Sequence, residues 1–312
     1  MYKIILEIFG CNVKFETNII DVTKDESTFR HFNIINDDVT YDFTIKYIDS
    51  VDEKIDFNYK DELIFTAPWN KVKHGEVLKT LIMTCVQWVL QQKGLFMIHA
   101  SCVAKDNKAI LLFGSSGAGK TSLAIDLCKN HGFSFVSNGS TLIKLENNNV
   151  ISSGAVKKGI KLRYSSYSRM NLEHANKIFF YGRNNNNNND FDCKKQISLE
   201  EMGLAEADTP LDVYKLYTVK IQNHPVSTVK IDPYRMRLTL HQDLSRFIRC
   251  SSTYLIYGEE LNDTVWLPNM DTELIHDNRR RLIEVLTSNE TLGEGIYGDI
   301  VSCANWLEHD TK

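Results

Sequence analysis

No stretch of this sequence is long and apolar enough to cross a bilayer, no cysteines stand in close pairs, and neither sign of charge prevails. The most hydrophobic segment, residues 77–90, is short and is interrupted by Lys79, Thr80, Thr84 and Gln87, which excludes a membrane span. Seven cysteines (Cys11, Cys85, Cys102, Cys128, Cys193, Cys250, Cys303) are scattered and odd in number, without a C-x-x-C pair. They argue against a disulfide framework or a zinc site and favour a reducing cytoplasm. Lys+Arg of 36 against Asp+Glu of 40 gives a net charge of −4, so the basic signature of a nucleic-acid binder is missing. The first residues, Met1-Tyr2-Lys3-Ile4-Ile5-Leu6, form a short apolar run stopped by Glu7 with no small-residue cleavage site. The expectation is a cytoplasmic protein with neither export signal nor membrane contact. H-E-x-x-H, G-x-S-x-G and EF-hand patterns are all missing, as is any internal repeat. The nine histidines are dispersed, so a dedicated metal cage is not indicated.

What remains is an ordinary globular composition. With 312 residues, 24% charged and 43% hydrophobic, the chain is long enough for one large domain or two smaller ones. Residues 1–72 read as a β-rich N-terminal region, with strands at 2–9, 12–15, 40–48 and 63–65 separated by polar turns. The second domain is expected at 73–312. It opens with a helix over 76–92, in which Val77, Leu78, Leu81, Ile82, Cys85, Trp88 and Val89 recur at three- and four-residue intervals. Trp88 and Met83 read there as core. Strands follow at 96–103 and 109–113, joined by a turn at Lys105-Asp106-Asn107-Lys108, then at 133–136, 141–145 and 150–151. Six asparagines at 184–189 read as a surface loop. Further strands are expected at 213–221 and 226–231, and helices around 240–250 and 278–287. Arg279-Arg280-Arg281 and Lys157-Lys158 read as solvated faces, with a phosphate partner as the alternative there and at Arg163.

The chemical signal is Gly114-Ser115-Ser116-Gly117-Ala118-Gly119-Lys120-Thr121, which fits G-x-x-x-x-G-K-[ST] at every fixed position. An apolar run of strand length, 109–113, leads into it, and Ser122 opens a stretch of helical character with His131-Gly132 as its C-terminal cap. Glycines let backbone N–H groups curl around a phosphate, and the helix N-terminus adds partial positive charge. Residues 114–122 are therefore the expected cradle for a nucleotide triphosphate. Lys120 would reach the terminal phosphates and Thr121 would ligate Mg²⁺.

Gly94-x-x-x-x-His99-Ala100-Ser101, a strand hairpin, this loop, and His131-Gly132-Phe133-x-Phe135-Val136-Ser137 come in an order and spacing that resemble the catalytic domain of HPr kinase/phosphorylase and its relatives. Those relatives include proteins encoded beside peptide-maturation genes. The resemblance covers residues 94–145. It implies an α/β fold with an HPr kinase/PEP carboxykinase-like P-loop core, ATP and Mg²⁺ as cofactors, and phosphoryl transfer to a hydroxyl. Carried over residue by residue, Gly119, Lys120 and Thr121 would hold the phosphates and metal, and His99 would lie near the γ-phosphate. The family's two consecutive aspartates correspond to Asn138 and Gly139. An amide cannot accept a proton at neutral pH, and Asn-Gly is also a strong hairpin-turn signal. His99, Asp126, Asp190 or Asp192 is then left to assist, and Lys120, His99 and Asn138 are the catalytic candidates. The expected partners are a nucleotide triphosphate and a hydroxyl-bearing acceptor, a peptide among the candidates. Homo-oligomerisation is left open. A nucleotide-binding regulatory protein with a degenerate kinase site, or a P-loop ATPase, are the competing readings.

Overall fold

The computed structural model describes residues 1–29, 32–35, 39–73, 77–154, 160–168, 194–249 and 267–311. The chain groups into two compact units, Met1–Phe96 with His241–Arg281, and Met97–Leu240 with Leu282–Lys312. Among the described residues five helices exceed two turns: α1 (Val77–Gln92), α2 (Lys120–Asn130), α3 (Pro233–Arg249), α4 (Glu273–Leu286) and α5 (Ile300–Asp310).

The first unit is built on a six-stranded sheet. Its strands are β1 (Tyr2–Ile8), β2 (Cys11–Thr17), β3 (Asn33–Ile35), β4 (Phe43–Asp49), β5 (Lys54–Phe57) and β6 (Glu62–Ala67), in the order β3-β1-β2-β4-β6-β5. β1 and β2 form a hairpin through Phe9 and Gly10, both at positive φ, while β2–β4 and β4–β6 are parallel. β1, β2, β4 and β6 are the four expected strands; β3 and β5 are additions. Every second residue of β2 and β6 is buried, with Val13, Phe15, Leu63 and Phe65 fully inside, the period-two pattern of a sheet with one covered face.

Helix α1 packs on β2 and β4 and is buried at nearly every position. Its polar residues are satisfied accordingly: Thr84 Oγ1 donates to Phe247 O at 3.3 Å, and Gln91 Nε2 donates to Leu244 O at 2.9 Å. Trp88 is core, as its spacing suggests, meeting Phe43 and Phe57 edge-on at 5.9 and 5.0 Å between ring centroids. The solvated-face reading of the triplet holds at Arg280 and Arg281, which are exposed, and fails at Arg279. It is 0% exposed, its Nη2 donates to both carboxylate oxygens of Asp271 at 2.8 and 2.7 Å, and its Nη1 reaches Gln91 Oε1 at 3.3 Å. Arg280 is half exposed beside Asp277.

The second unit carries β7 (Leu95–Ile98), β8 (Ala100–Lys105), β9 (Lys108–Phe113), β10 (Ser134–Ser137), β11 (Thr141–Glu146), β12 (Asn149–Gly154), β13 (Ile160–Arg163), β14 (Lys194–Ile197), β15 (Leu211–Ile221), β16 (Ser227–Lys230) and β17 (Leu292–Gly298). The main sheet runs β10-β8-β9-β15-β12-β11-β7, with β17 pairing β15 and β16; β13 and β14 form a separate ribbon. The turn expected between β8 and β9 is present, with Asp106 and Asn107 at φ +50° and +60°, the left-handed pair that suits a two-residue hairpin. β9 and β15 lie parallel. Helices α2 and α5 pack together, and Leu123, Leu127, Tyr217, Ile296, Cys303 and Leu307 share one apolar core. Gly293, Gly295 and Gly298 lie in strand β17. Its first glycine makes room for an aromatic ring, since a Cβ at 293 would lie 2.5 Å from Tyr217 Cδ1.

Candidate functional site

β9 ends at Phe113 and α2 begins at Lys120, so residues 114–119 form a loop between strand and helix, the setting that gives the motif its mechanism. Ser115, Ser116 and Gly117 are exposed at its tip, whereas Lys120 is buried at 6% exposure. The loop is tied to the end of β15: Ile221 N donates to Ala118 O at 2.8 Å. Gly119, at φ +89°, lies so close to that strand that a Cβ would fall 2.4 Å from Ile221 Cγ1. Gly114 is pressed the same way, its hypothetical Cβ 2.7 Å from Val219 O. The two glycines thus let the loop close down on β15.

The N-terminus of α2 has no side-chain cap and no acid in its first turn. Helix α5 differs, because Asp299 Oδ1 accepts from Ser302 N at 2.9 Å. A first turn needs acceptors for its unpaired N–H groups, and where the side chains supply none the end is suited to an anion. Lys120 Nζ donates to Gly114 O at 2.7 Å and Ser115 O at 3.0 Å, folded back on its own loop. Ser122 lies half-buried in the same helical turn.

Thr121, Asn138 and Ser101 meet beside the loop. Asn138 Oδ1 accepts from Thr121 Oγ1 at 2.6 Å and from Ser101 Oγ at 3.0 Å. Next to it Gly139 O lies 2.7 Å from His99 Nδ1. A carbonyl only accepts, so His99 Nδ1 donates this bond. Two adjacent residues therefore hold both His99 and the loop threonine.

The hairpin-turn reading of Asn138-Gly139 is corrected by the sheet. β10 pairs with β8, whereas β11 lies between β12 and β7, so the strands flanking the dipeptide are not paired with each other. The expected single strand over 96–103 likewise breaks at His99 into β7 and β8. Both chains change partner at the same rung, and His99–Gly139 and Ser101–Asn138 bridge the break. Below it Ser137 Oγ donates to Thr141 Oγ1 (2.5 Å), which donates to Ala100 O at 3.2 Å. Ser101, quoted above only as part of the motif after His99, joins the site through its bond to Asn138.

Other candidates are engaged elsewhere. Asp126 Oδ1 accepts from Asn130 Nδ2 at 2.8 Å and Oδ2 lies 3.4 Å from His131 Nε2, while Glu308 meets the other ring nitrogen at 2.8 Å. Asp126 is thus occupied at the far end of α2. Arg163 is exposed. Asp190, Asp192, the asparagine run and Lys157-Lys158 lie outside the described residues. Burial pushes the thiols of Cys102 and Cys128 up to about 12, so neither serves as a nucleophile at neutral pH.

The oxygen-only set of Thr121 Oγ1 and Asn138 Oδ1, beside an uncapped helix end, suits a magnesium–nucleotide. Magnesium takes few protein ligands and completes its shell with phosphates and water. Among the described residues no group of three His, Cys, Asp or Glu is placed to hold a metal ion. Nor is any helix among them long and apolar enough to cross a membrane.

The family model for phosphoenolpyruvate carboxykinase matches residues 15–131, from within β2 to the cap of α2. No curated protein matches the chain. Among solved structures it is similar to the HPr(Ser) kinase/phosphatase from Coxiella burnetii, with 17% identity over 43% of this chain and 77% of that chain and a TM-score of 0.26. The fold is α/β, with the phosphate-loop motif set between strand β9 and helix α2. The phosphate-loop motif at residues 114–121 falls inside the matched segment.

Proposed function

We propose that this protein is an ATP- and Mg²⁺-dependent kinase that transfers a phosphoryl group to a hydroxyl of a peptide, protein or small molecule. The observation that carries this reading is the uncapped N-terminus of α2 with Lys120 poised beside it. The N–H groups of residues 114–122 would hold the phosphates, and Lys120 Nζ would exchange two loop carbonyls for phosphate oxygens. Thr121 and Asn138 would hold Mg²⁺, whose chemistry is to offset charge on the phosphates. A loose phosphoryl-transfer transition state depends mostly on positioning and electrostatics, so the missing aspartate need not abolish transfer. His99 is the base best supported. In the balanced step the acceptor oxygen bonds to phosphorus as the bond to the ADP oxygen breaks, and the hydroxyl proton passes to the base, for which His99 is the candidate.

A second reading, nucleotide sensing without transfer, is favoured by Asn138 alone, since no carboxylate stands in its place. Incubation with ATP, Mg²⁺ and candidate peptides, followed by mass spectrometry, separates the two. A kinase adds one phosphate to an acceptor, and Lys120→Ala abolishes the addition while the fold persists. Undiminished labelling by Lys120→Ala refutes the kinase reading.

A further inference from the structure

The hydroxyl of Ser101 is fully buried and donates to the same amide oxygen that receives Thr121. A carboxamide has two unlike ends: its oxygen is a hard ligand for a cation, its NH₂ group is not. Turned over, Asn138 would present NH₂ to both hydroxyls and remove the acceptor that each now uses. A buried hydroxyl proton without an acceptor is costly. Ser101 therefore opposes the flip and keeps the oxygen towards Thr121, and it can go on doing so when Thr121 Oγ1 turns to another partner. Its strand fixes it there, since Cys102 and Val103 on either side of the same backbone are fully buried in the sheet.

We infer that Ser101 is a positioning residue for the divalent cation that accompanies the nucleotide, acting by fixing the orientation of the Asn138 side chain. The inference rests on the nucleotide-binding reading above and concerns the metal-dependent part of that binding alone. A group that orients a metal ligand typically contributes ten-fold or more to metal affinity.

The test is calorimetric titration of the full chain with a non-hydrolysable ATP analogue, in Mg²⁺ and again in EDTA. Wild type should bind in both, more tightly with Mg²⁺. Ser101→Ala should keep the EDTA affinity and lose about ten-fold of the Mg²⁺-dependent gain. Asn138→Ala should lose a similar share, and the double variant no more than Asn138→Ala alone. An Mg²⁺ gain unchanged in Ser101→Ala overturns the inference, as does an equal loss in both buffers, which marks a merely structural role. Wild type that binds no analogue in either buffer defeats the nucleotide reading itself, and this inference with it.

Discussion

Replacing Gly119 by alanine isolates what the phosphate loop asks of its last glycine. The residue lies at φ +89°, and a left-handed conformation costs a residue with a Cβ about 1–2 kcal/mol. The new methyl would also fall 2.4 Å from Ile221 Cγ1 and 2.7 Å from its Cβ, an overlap that must push either the loop or β15 and costs about 1–3 kcal/mol more. Gly119→Ala should therefore destabilise by about 2–5 kcal/mol. Gly117 supplies the internal control. At φ +80° it faces nothing within 4 Å, so its alanine variant should lose only the conformational part, about 1–2 kcal/mol. Pairing Gly119→Ala with Ile221→Ala should remove the 2.4 Å overlap with Cγ1 but not the 2.7 Å one with Cβ, so the double variant should lose less than the sum of the two single losses. Urea denaturation of the four variants measures each quantity. Equal losses at 117 and 119, or a double variant that shows strict additivity, would refute the claim that Gly119 is held against β15.

Two further expectations concern the first unit. Arg279→Ala leaves Asp271, whose side chain is 8% exposed, with only Arg249 at 3.4 Å as a guanidinium partner, and should cost less than the roughly 3–5 kcal/mol of an uncompensated buried charge in a denaturation experiment; Arg279→Met paired with Asp271→Leu should cost less than Arg279→Met alone. Both ring nitrogens of His241 face guanidinium groups, Arg279 Nε at 3.2 Å and Arg249 Nη1 at 2.9 Å, with His276 and Asp271 also near. Burial first, then Arg279, Arg249 and His276, hold its pKa below the ordinary 6.5. The unfolded chain then binds the extra proton, so this contribution is complete above pH 6.5 and is lost as pH falls below it. Thermal melts from pH 7.5 to 5.5 should show the decline, and His241→Gln should flatten it; an identical slope in the variant would discount His241.

Local signals in the sequence were read well where local physics decides. The β8–β9 turn is set by two residues that tolerate positive φ, α1 by its apolar recurrence, and the cap of α2 by Gly132 at φ +73°. Signals failed where distant partners decide. Asn138-Gly139 has the chemistry of a hairpin turn, but its flanking strands take β8 and β7 as neighbours. Helix α3 begins at Pro233, ahead of the helix expected around 240–250, since a proline's missing N–H costs nothing at the first position. β17 was not expected because glycine is poor strand material, yet Gly293 is required by the Tyr217 ring from β15. Arg279 becomes a core residue only because Asp271, eight positions earlier, returns to meet it. In the candidate site the loop was legible residue by residue. The pairing of Ser101 with Asn138 depends on two strands meeting in a particular alignment, which spacing along the chain does not encode.

That alignment has an evolutionary corollary. His99 lies between β7 and β8, and residues 138–140 lie between β10 and β11, so one residue gained or lost at either break should pull apart His99 and Gly139, or Ser101 and Asn138. Length in these two short stretches should therefore matter more than residue type. Drift at position 138 can change the chemistry without disturbing the frame, whereas an insertion beside it would dismantle both.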